Sequence, residues 1–525
     1  FDIIDYEVYN MCGFVVFIDK KKSKKKIIKD MADIIAHRGP DSDGYYIGDE
    51  CALGFRRLSI IDLDGGTQPI YNEDNNMIIT FNGEIYNYKE IREKLIKKGH
   101  KFRTESDTEV ILHGYEEYGE KILDKLRGMF AFVIYDTKNK TLFGARDFYG
   151  IKPLYYYIDD EEFMFGSEIK SFLGHPGFKK ELNRDMLKQY LTFQYSVGED
   201  TFFKNVYKLR PGHYFKYHDG KLDITKYYEI KIESDDSKSL EEYYMDEPLA
   251  DPSAVALYFV ANTASKHVKV ALSGEGADEI FGGYNIYHEP YSVSWYNKIP
   301  YPIRRGIGVL AYPLRNHTGF NFLVRRSKKL EDRYVGNAFI FEPGDANKIL
   351  SYTDKHDFRE LTKPYYDKIK NYDDVAKMQY IDFNFWLIGD ILLKADKMSM
   401  ANSLEVRVPF LDRPLVNEVI NIPSKYKIVG NQTKYAFREV CKEELPEKWA
   451  DKKKLGFPVP IREWIKEEDI YNNIRKTFED GGEFFKTDRI IKLLDDHCKG
   501  KHDNSRKIWA IYSFLIWYQE YFINR

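Results

Sequence analysis

The spacing of apolar residues changes once along this chain, between Tyr228 and Tyr244, and that change sets what it can fold into. Before it, short apolar runs are separated by turn residues. Residues 13–18, 53–55, 58–61 and 77–81 read as strands, and 129–143 reads as two strands about a turn at 137–140. Asn82-Gly83 has hairpin-turn chemistry, and 88–99 has helical spacing that stops at Gly99. After it, residues 253–266 and most of the chain to Tyr521 carry helical periodicity. A short strand at 267–272 interrupts this and runs into Ser273-Gly274-Glu275-Gly276. At 525 residues the chain exceeds what one core supports. A strand-rich domain followed by a mostly helical one is expected, with the polar stretch 231–242 as linker.

Composition narrows the function classes. A formal net charge of -3 disfavours broad attraction to nucleic acid or an anionic membrane surface. No apolar run approaches the roughly 20 residues of a membrane span. Cys12, Cys51, Cys441 and Cys498 lie far apart with no CxxC pair, which argues against a zinc site or disulfide framework and fits a reducing cytoplasm.

Met11-Cys12 precedes the buried run 13–18 as an initiator would precede the residue it uncovers. With Met11 removed, Cys12 carries both a thiol and an α-amine, a nucleophile and a base in one residue. Residues 1–10 stand in front and must be absent for this chemistry, so they read as a leader or non-native segment. Other segments have the parts to hold an amino-acid amide beside Cys12. Arg57 opens the strand 58–61 and suits a bidentate carboxylate grip. The Asn82 amide and the Gly83 N–H suit a tetrahedral oxyanion. Ser106-Asp107-Thr108-Glu109 offers an acid for an ammonium. Alone, such an arginine is ordinarily a surface residue and Asn-Gly ordinarily a turn. Cys51 reads as a small core residue.

Their order is more specific than any part. Met11-Cys12-Gly13, His37-Arg38-Gly39-Pro40-Asp41, Arg57-Leu58-Ser59-Ile60, Asn82-Gly83-Glu84-Ile85-Tyr86-Asn87 and Ser106-Asp107-Thr108-Glu109 resemble the N-terminal-nucleophile glutaminase domain of class II glutamine amidotransferases. The resemblance covers 11–228. It implies Cys12 as nucleophile, Asn82 and Gly83 as oxyanion hole, and Arg57, Asn82, Glu84 and Asp107 as glutamine binders. In the second half, Ser273-Gly274-Glu275-Gly276-Ala277-Asp278-Glu279, Phe281-Gly282-Gly283-Tyr284, Asp396-Lys397-Met398-Ser399-Met400-Ala401, 403–412 and Lys454-Leu455-Gly456-Phe457 resemble the asparagine synthetase family. A strand ending in Ser-Gly-Glu-Gly exposes backbone N–H groups to phosphate or carboxylate. Asp278 suits Mg²⁺, and Lys454 suits charge on a transferring nucleotide phosphate.

The resemblance implies a fold of α+β and α/β class: a stacked-sheet glutaminase domain, then a mostly helical α/β adenylating synthetase domain over 246–525. It implies ATP and Mg²⁺ as cofactors and glutamine and aspartate as substrates. ATP and aspartate would meet Ser273, Gly274, Glu275, Asp278, Tyr284 and Lys454, in a homodimeric cytoplasmic enzyme. Residues 396–412 are expected to support the nucleotide pocket. The family's pyrophosphate loop, of Ser-Gly-Gly-x-Asp-Ser type, is not found. The junction 229–245 is too short for the roughly 30 residues of a βαβ unit. Either a nucleotide-binding segment is deleted or it is omitted from this sequence. The intact pattern downstream favours omission, and the remaining sheet should present a raw edge. Two rival readings stay open: amidation of diaminopimelate in peptidoglycan precursors, and a catalytically inert scaffold.

Overall fold

The computed structural model describes residues 12–18, 24–58, 66–229, 248–292, 296, 298–314, 317, 319–450 and 459–524. Residues 1–11, most of 58–61, the junction from 230 and Lys454 with its neighbours therefore lie outside the described residues.

The run Cys-Gly-Phe-Val-Val-Phe-Ile forms strand β1 (Cys12–Ile18). Side chains alternate across a strand. Phe14 and Val16 thus enter one apolar cluster and Val15 and Phe17 another, all four fully buried. β1 is central in a six-stranded antiparallel sheet with β2 (Ser42–Ile47), β3 (Cys51–Arg57), β8 (Tyr155–Ile158), β9 (Phe163–Gly166) and β10 (Val206–Lys208), in the order β10-β8-β9-β1-β3-β2. A second antiparallel sheet runs β12 (Lys221–Lys226), β11 (His213–His218), β7 (Thr141–Arg146), β6 (Gly128–Asp136), β5 (Met77–Ile85), β4 (Ile70–Tyr71). The sheets share a dry layer containing Cys12, Phe14, Leu53, Val133, Phe165 and Phe215. Phe165 of one sheet stacks on Phe215 of the other at 4.1 Å between ring centroids. Such pairs add about 0.5–1.5 kcal/mol beyond their buried area.

Helices close the outer faces. Ile27, Ile28 and Met31 of α1 (Lys24–Ile34) cover the first sheet. Ile91 and Leu95 of α2 (Tyr88–Lys97) and Val110 and Ile111 of α3 (Asp107–Tyr118) cover the second. Cys51 sits at the start of β3, fully buried.

One sequence expectation needs correction. Asn82-Gly83 is not a turn: β5 runs straight through it, with Asn82 opposite Ala131 and Gly83 opposite Phe130. The glycine serves close approach, because a Cβ there would meet the Met129 carbonyl oxygen at 2.1 Å and φ is 153°. Arg57 is the last residue of β3, where it pairs with Cys12 in the β1–β3 ladder, and residues 59–61 of the strand expected after it lie outside the described residues.

The second domain is mostly helical. Helix α4 (Met186–Phe193) leads into it, and the Tyr190 hydroxyl donates to the Ala510 carbonyl in α8 (Ser505–Tyr518) at 3.0 Å. After α5 (Ser253–Ala264), β13 (Val270–Leu272) pairs in parallel with β14 (Glu405–Arg407). The loop after β13 enters α6 (Ala277–Phe281), and α7 (Leu392–Met400) precedes β14. Among the described residues β13 has no second strand neighbour, and Phe259, Val260 and Leu272 are exposed, Leu272 by 74%. Parallel sheets are normally covered on both faces. None of the described helices is long and apolar enough to cross a membrane.

Candidate active site

Strand periodicity builds the first site. Along β5, Ile79, Phe81 and Ile85 pack in the cluster under α2 and α3, while Ile78 enters the layer between the sheets. Period 2 therefore aims Thr80, Asn82 and Glu84 toward the side on which Cys12 lies. Asn82 is fully buried, yet neither its amide oxygen nor its amide nitrogen has a hydrogen-bond partner among the described residues, and the same holds for the Thr80 hydroxyl. A buried polar group left without a partner costs about 1–3 kcal/mol. A row of them on one strand face marks a surface shaped for something polar.

The backbone agrees. Phe130 donates to Asp147 Oδ2 and its carbonyl accepts from the Asp147 N–H, so its polar groups face β7 and not Gly83. The Gly83 N–H consequently points to the other edge of β5. There the Phe81 N–H donates to Gln68 Oε1 at 2.6 Å and the Ile85 N–H donates to Asp107 Oδ2 at 2.9 Å. Asn82 and Gly83 thus offer adjacent donors from one strand.

Cys12 is buried, and burial pushes its thiol up to about 12 against the pull of the Leu58 N–H and the Arg57 guanidinium. Arg57 is held by a 3.0 Å bond from Nη1 to the Thr67 hydroxyl. Asp107 opens α3 behind the cap residue Ser106, whose hydroxyl accepts from the Thr108 N–H. Burial raises the Asp107 carboxyl to about 7, and nearby Glu405 adds to the shift. Glu84 is raised well above the usual carboxylate range by burial and by Asp107. Carboxylates crowded this way in a buried site favour a cationic ligand.

The second domain reaches this pocket. Arg407 Nη2 lies 3.3 Å from Glu84 Oε2, and Arg407 Nε donates to Glu405 Oε1 at 2.5 Å. Its own carbonyl accepts from the Ser273 N–H at 2.7 Å, so β14 joins the pocket to the Ser-Gly-Glu-Gly loop. Fully buried Arg38 donates to Glu168 at 2.8 Å and to both oxygens of Asp396 at 2.9 and 3.2 Å. Residues 396–412, expected to support the nucleotide pocket, also face the first domain. Asp396, Arg407 and Asp412 pair with Arg38, Glu84 and Arg127, because α7 and β14 form the seam between domains.

In the loop, Gly276 has φ 86°, and a Cβ there would lie 2.4 Å from Leu411 Cδ2. The Glu275 carboxyl is raised by burial, and its Oε2 has no hydrogen-bond partner among the described residues. Asp278 Oδ1 lies 3.1 Å from Lys434 Nζ and repels Glu275. Carboxylates of this kind are the oxygen ligands a small hard cation takes. Lys434 was not singled out from sequence; a lone lysine in Thr-Lys-Tyr carries no signal, although its φ of 54° marks a constrained position. The Tyr284 hydroxyl donates to Glu279 at 2.6 Å and accepts from Trp386 Nε1 at 3.0 Å. Burial raises Glu279 to about 8. Ser273, Gly274, Glu275 and Asp278 come together, whereas Lys454 is outside the described residues.

Comparison with known proteins finds two domains in this order. The family model for a glutamine amidotransferase domain matches residues 11–228, and that for asparagine synthase matches 227–519. Asparagine synthetase [glutamine-hydrolyzing] 1 of Bacillus subtilis is 39% identical over 612 positions, covering 97% of this chain and 96% of that protein. That alignment is longer than this chain, so it contains positions of the relative with no counterpart here. Asparagine synthetase [glutamine-hydrolyzing] 3 of B. subtilis is 28% identical over 550 positions, covering 87% and 89%. A solved B. subtilis glutamine phosphoribosylpyrophosphate amidotransferase has a TM-score of 0.33 at 16% identity, covering 50% of this chain and 61% of that one. Two matched domains in this order, and 39% identity across nearly all of a curated relative, establish that the chain belongs to the glutamine-hydrolysing asparagine synthetase family.

Proposed function

We propose that the chain transfers ammonia from glutamine to an ATP-activated aspartate β-carboxylate, giving asparagine, glutamate, AMP and pyrophosphate. The observation that carries the reading is the buried, unpartnered Asn82 amide on the strand face turned toward Cys12.

At the first site the Cys12 α-amine takes the thiol proton, and the sulfur attacks the glutamine side-chain carbonyl carbon. Asn82 Nδ2 and the Gly83 N–H stabilise the oxyanion, and collapse to a thioester expels ammonia. Water then releases glutamate and restores the thiol. Asp107 and Glu84 receive the substrate ammonium, and Arg57 its carboxylate. Residues before Cys12 would block this amine, so the mechanism requires their removal.

At the second site an aspartate β-carboxylate oxygen attacks the α-phosphorus of ATP and displaces pyrophosphate. Ammonia then attacks the acyl carbon and AMP leaves. Mg²⁺, which neutralises phosphate charge when bound, would be held by Asp278 beside Glu275, with Lys434 swinging from Asp278 toward the nucleotide. We place the missing pyrophosphate-binding segment at the junction 229–245, a reading supported by the greater length of the alignment with the B. subtilis relative. The exposed face of α5 and β13 supports that placement.

The test is a purified preparation supplied with MgATP, glutamine and either aspartate or a diaminopimelate precursor, with intact mass measured in parallel. Aspartate-stimulated AMP release with Cys12 as first residue is expected. AMP release stimulated by the precursor alone would transfer the chemistry to the other acceptor. No AMP release and no glutaminase activity from a 62.0 kDa chain retaining Phe1 would leave an inert scaffold.

A further inference from the structure

The β4–β5 hairpin, the α2–α3 loop and one face of α3 bring Glu73, His100, His113 and Glu116 together, each offering a ligand atom, with all four atoms within 4.8 Å of one another. His113 Nδ1 lies 2.9 Å from Glu116 Oε2 and 3.2 Å from Glu73 Oε2. His100 Nδ1 lies 3.3 Å from Glu73 Oε1 and 4.0 Å from Glu116 Oε2. Zinc takes nitrogen and oxygen ligands at about 2.0–2.2 Å, so the edges of its tetrahedron are about 3.3–3.6 Å. The observed spacings bracket that value.

The surroundings of the four are equally specific. Metal-bound histidines usually give their second ring nitrogen to a carboxylate, which fixes tautomer and orientation. His113 Nε2 faces buried Glu109 at 3.3 Å, and Glu109 is itself fixed by the N–H groups of Arg103 and Thr104. His100 Nε2 faces Glu117 at 3.5 Å. Asn72 holds Glu116 through Oε1 at 2.6 Å, leaving Oε2 toward the histidines. The Lys101 N–H holds Glu73 at 2.9 Å. Four carboxylates against two imidazoles leave the cluster anionic.

We propose that Glu73, His100, His113 and Glu116 bind one zinc-class divalent transition ion in a closed, four-ligand structural site. The ion staples α3 to the β4–β5 hairpin, which sets the position of Asp107 at the first turn of the same helix. The competing account is an ion network in which His113 is protonated and no metal binds.

The test uses the full chain stripped of metal, in Mg²⁺-free buffer and in the Asp278→Asn background to silence the other carboxylate site. Co²⁺ titration is expected to develop visible ligand-field bands of tetrahedral intensity, saturating at one equivalent and displaced by Zn²⁺. His100→Gln and His113→Gln are expected to weaken binding 10- to 100-fold. His100 is partly exposed, so its variant keeps the fold if the buried His113 variant does not. Absence of the bands, near-ultraviolet thiolate-to-cobalt absorption that places the ion on cysteine, or unchanged affinity in His100→Gln would each overturn the site.

Discussion

Asn82→Ala separates the two demands on this residue. The side chain is fully buried with both amide atoms lacking hydrogen-bond partners among the described residues. Truncation removes a desolvation penalty of about 1–3 kcal/mol. It leaves a small cavity, for which about 1 kcal/mol is a fair cost. The net effect on stability is therefore neutral to favourable, by up to about 2 kcal/mol. Catalysis goes the other way. Losing one oxyanion donor lowers kcat about 10²- to 10³-fold, or about 2.7–4 kcal/mol. The assay is glutamate release under saturating glutamine, with thermal unfolding of the same preparation and ammonia-supported AMP formation as control. A glutaminase rate within about fivefold of the parent would refute the oxyanion role. A stability loss above about 2 kcal/mol would refute the claim that Asn82 awaits a ligand, because it would reveal a structural hydrogen bond.

Three further outcomes follow from the geometry. Because the Asp107 carboxyl sits near 7 in the ligand-free pocket, its ionised form is disfavoured by folding. Stability without glutamine should fall as pH rises from about 4 to about 7, and the KM for glutamine should climb toward tenfold per unit below about 7, as initial rates would register. Arg38→Leu removes the shared partner of Glu168 and Asp396, which keep Lys170 at 2.8 Å and Lys152 at 3.9 Å, and should cost up to about 3 kcal/mol in denaturant unfolding. Asp278→Asn should abolish aspartate-dependent AMP release in an ATP assay while sparing glutaminase activity.

The candidate first site was legible because each part is a local pattern with its own chemistry: Cys12 before an apolar strand, Asn82-Gly83-Glu84 on one strand, Asp107 behind a serine cap. Gly83 was misread as a turn because glycine serves tight turns and close backbone approach alike. The partners of Arg38 and Glu84 were not legible, since Asp396 and Arg407 lie more than 300 residues away and only folding brings them in. The histidine–glutamate cluster was equally invisible. Of its four members only His113 and Glu116 share a helical repeat, and a hairpin and a loop bring the other two.

The buried Arg38–Asp396 pair also bears on how such enzymes can be recombined. A transplanted glutaminase domain that lacks an arginine at this depth would bring an unmatched surface to α7 and leave Asp396 without its two-oxygen partner, with Lys152 at 3.9 Å beside it. Functional chimaeras should therefore arise only when the His37-Arg38 and Asp396 segments travel together. This makes the domain boundary a poor place to cut and ties the ancestry of one half to that of the other.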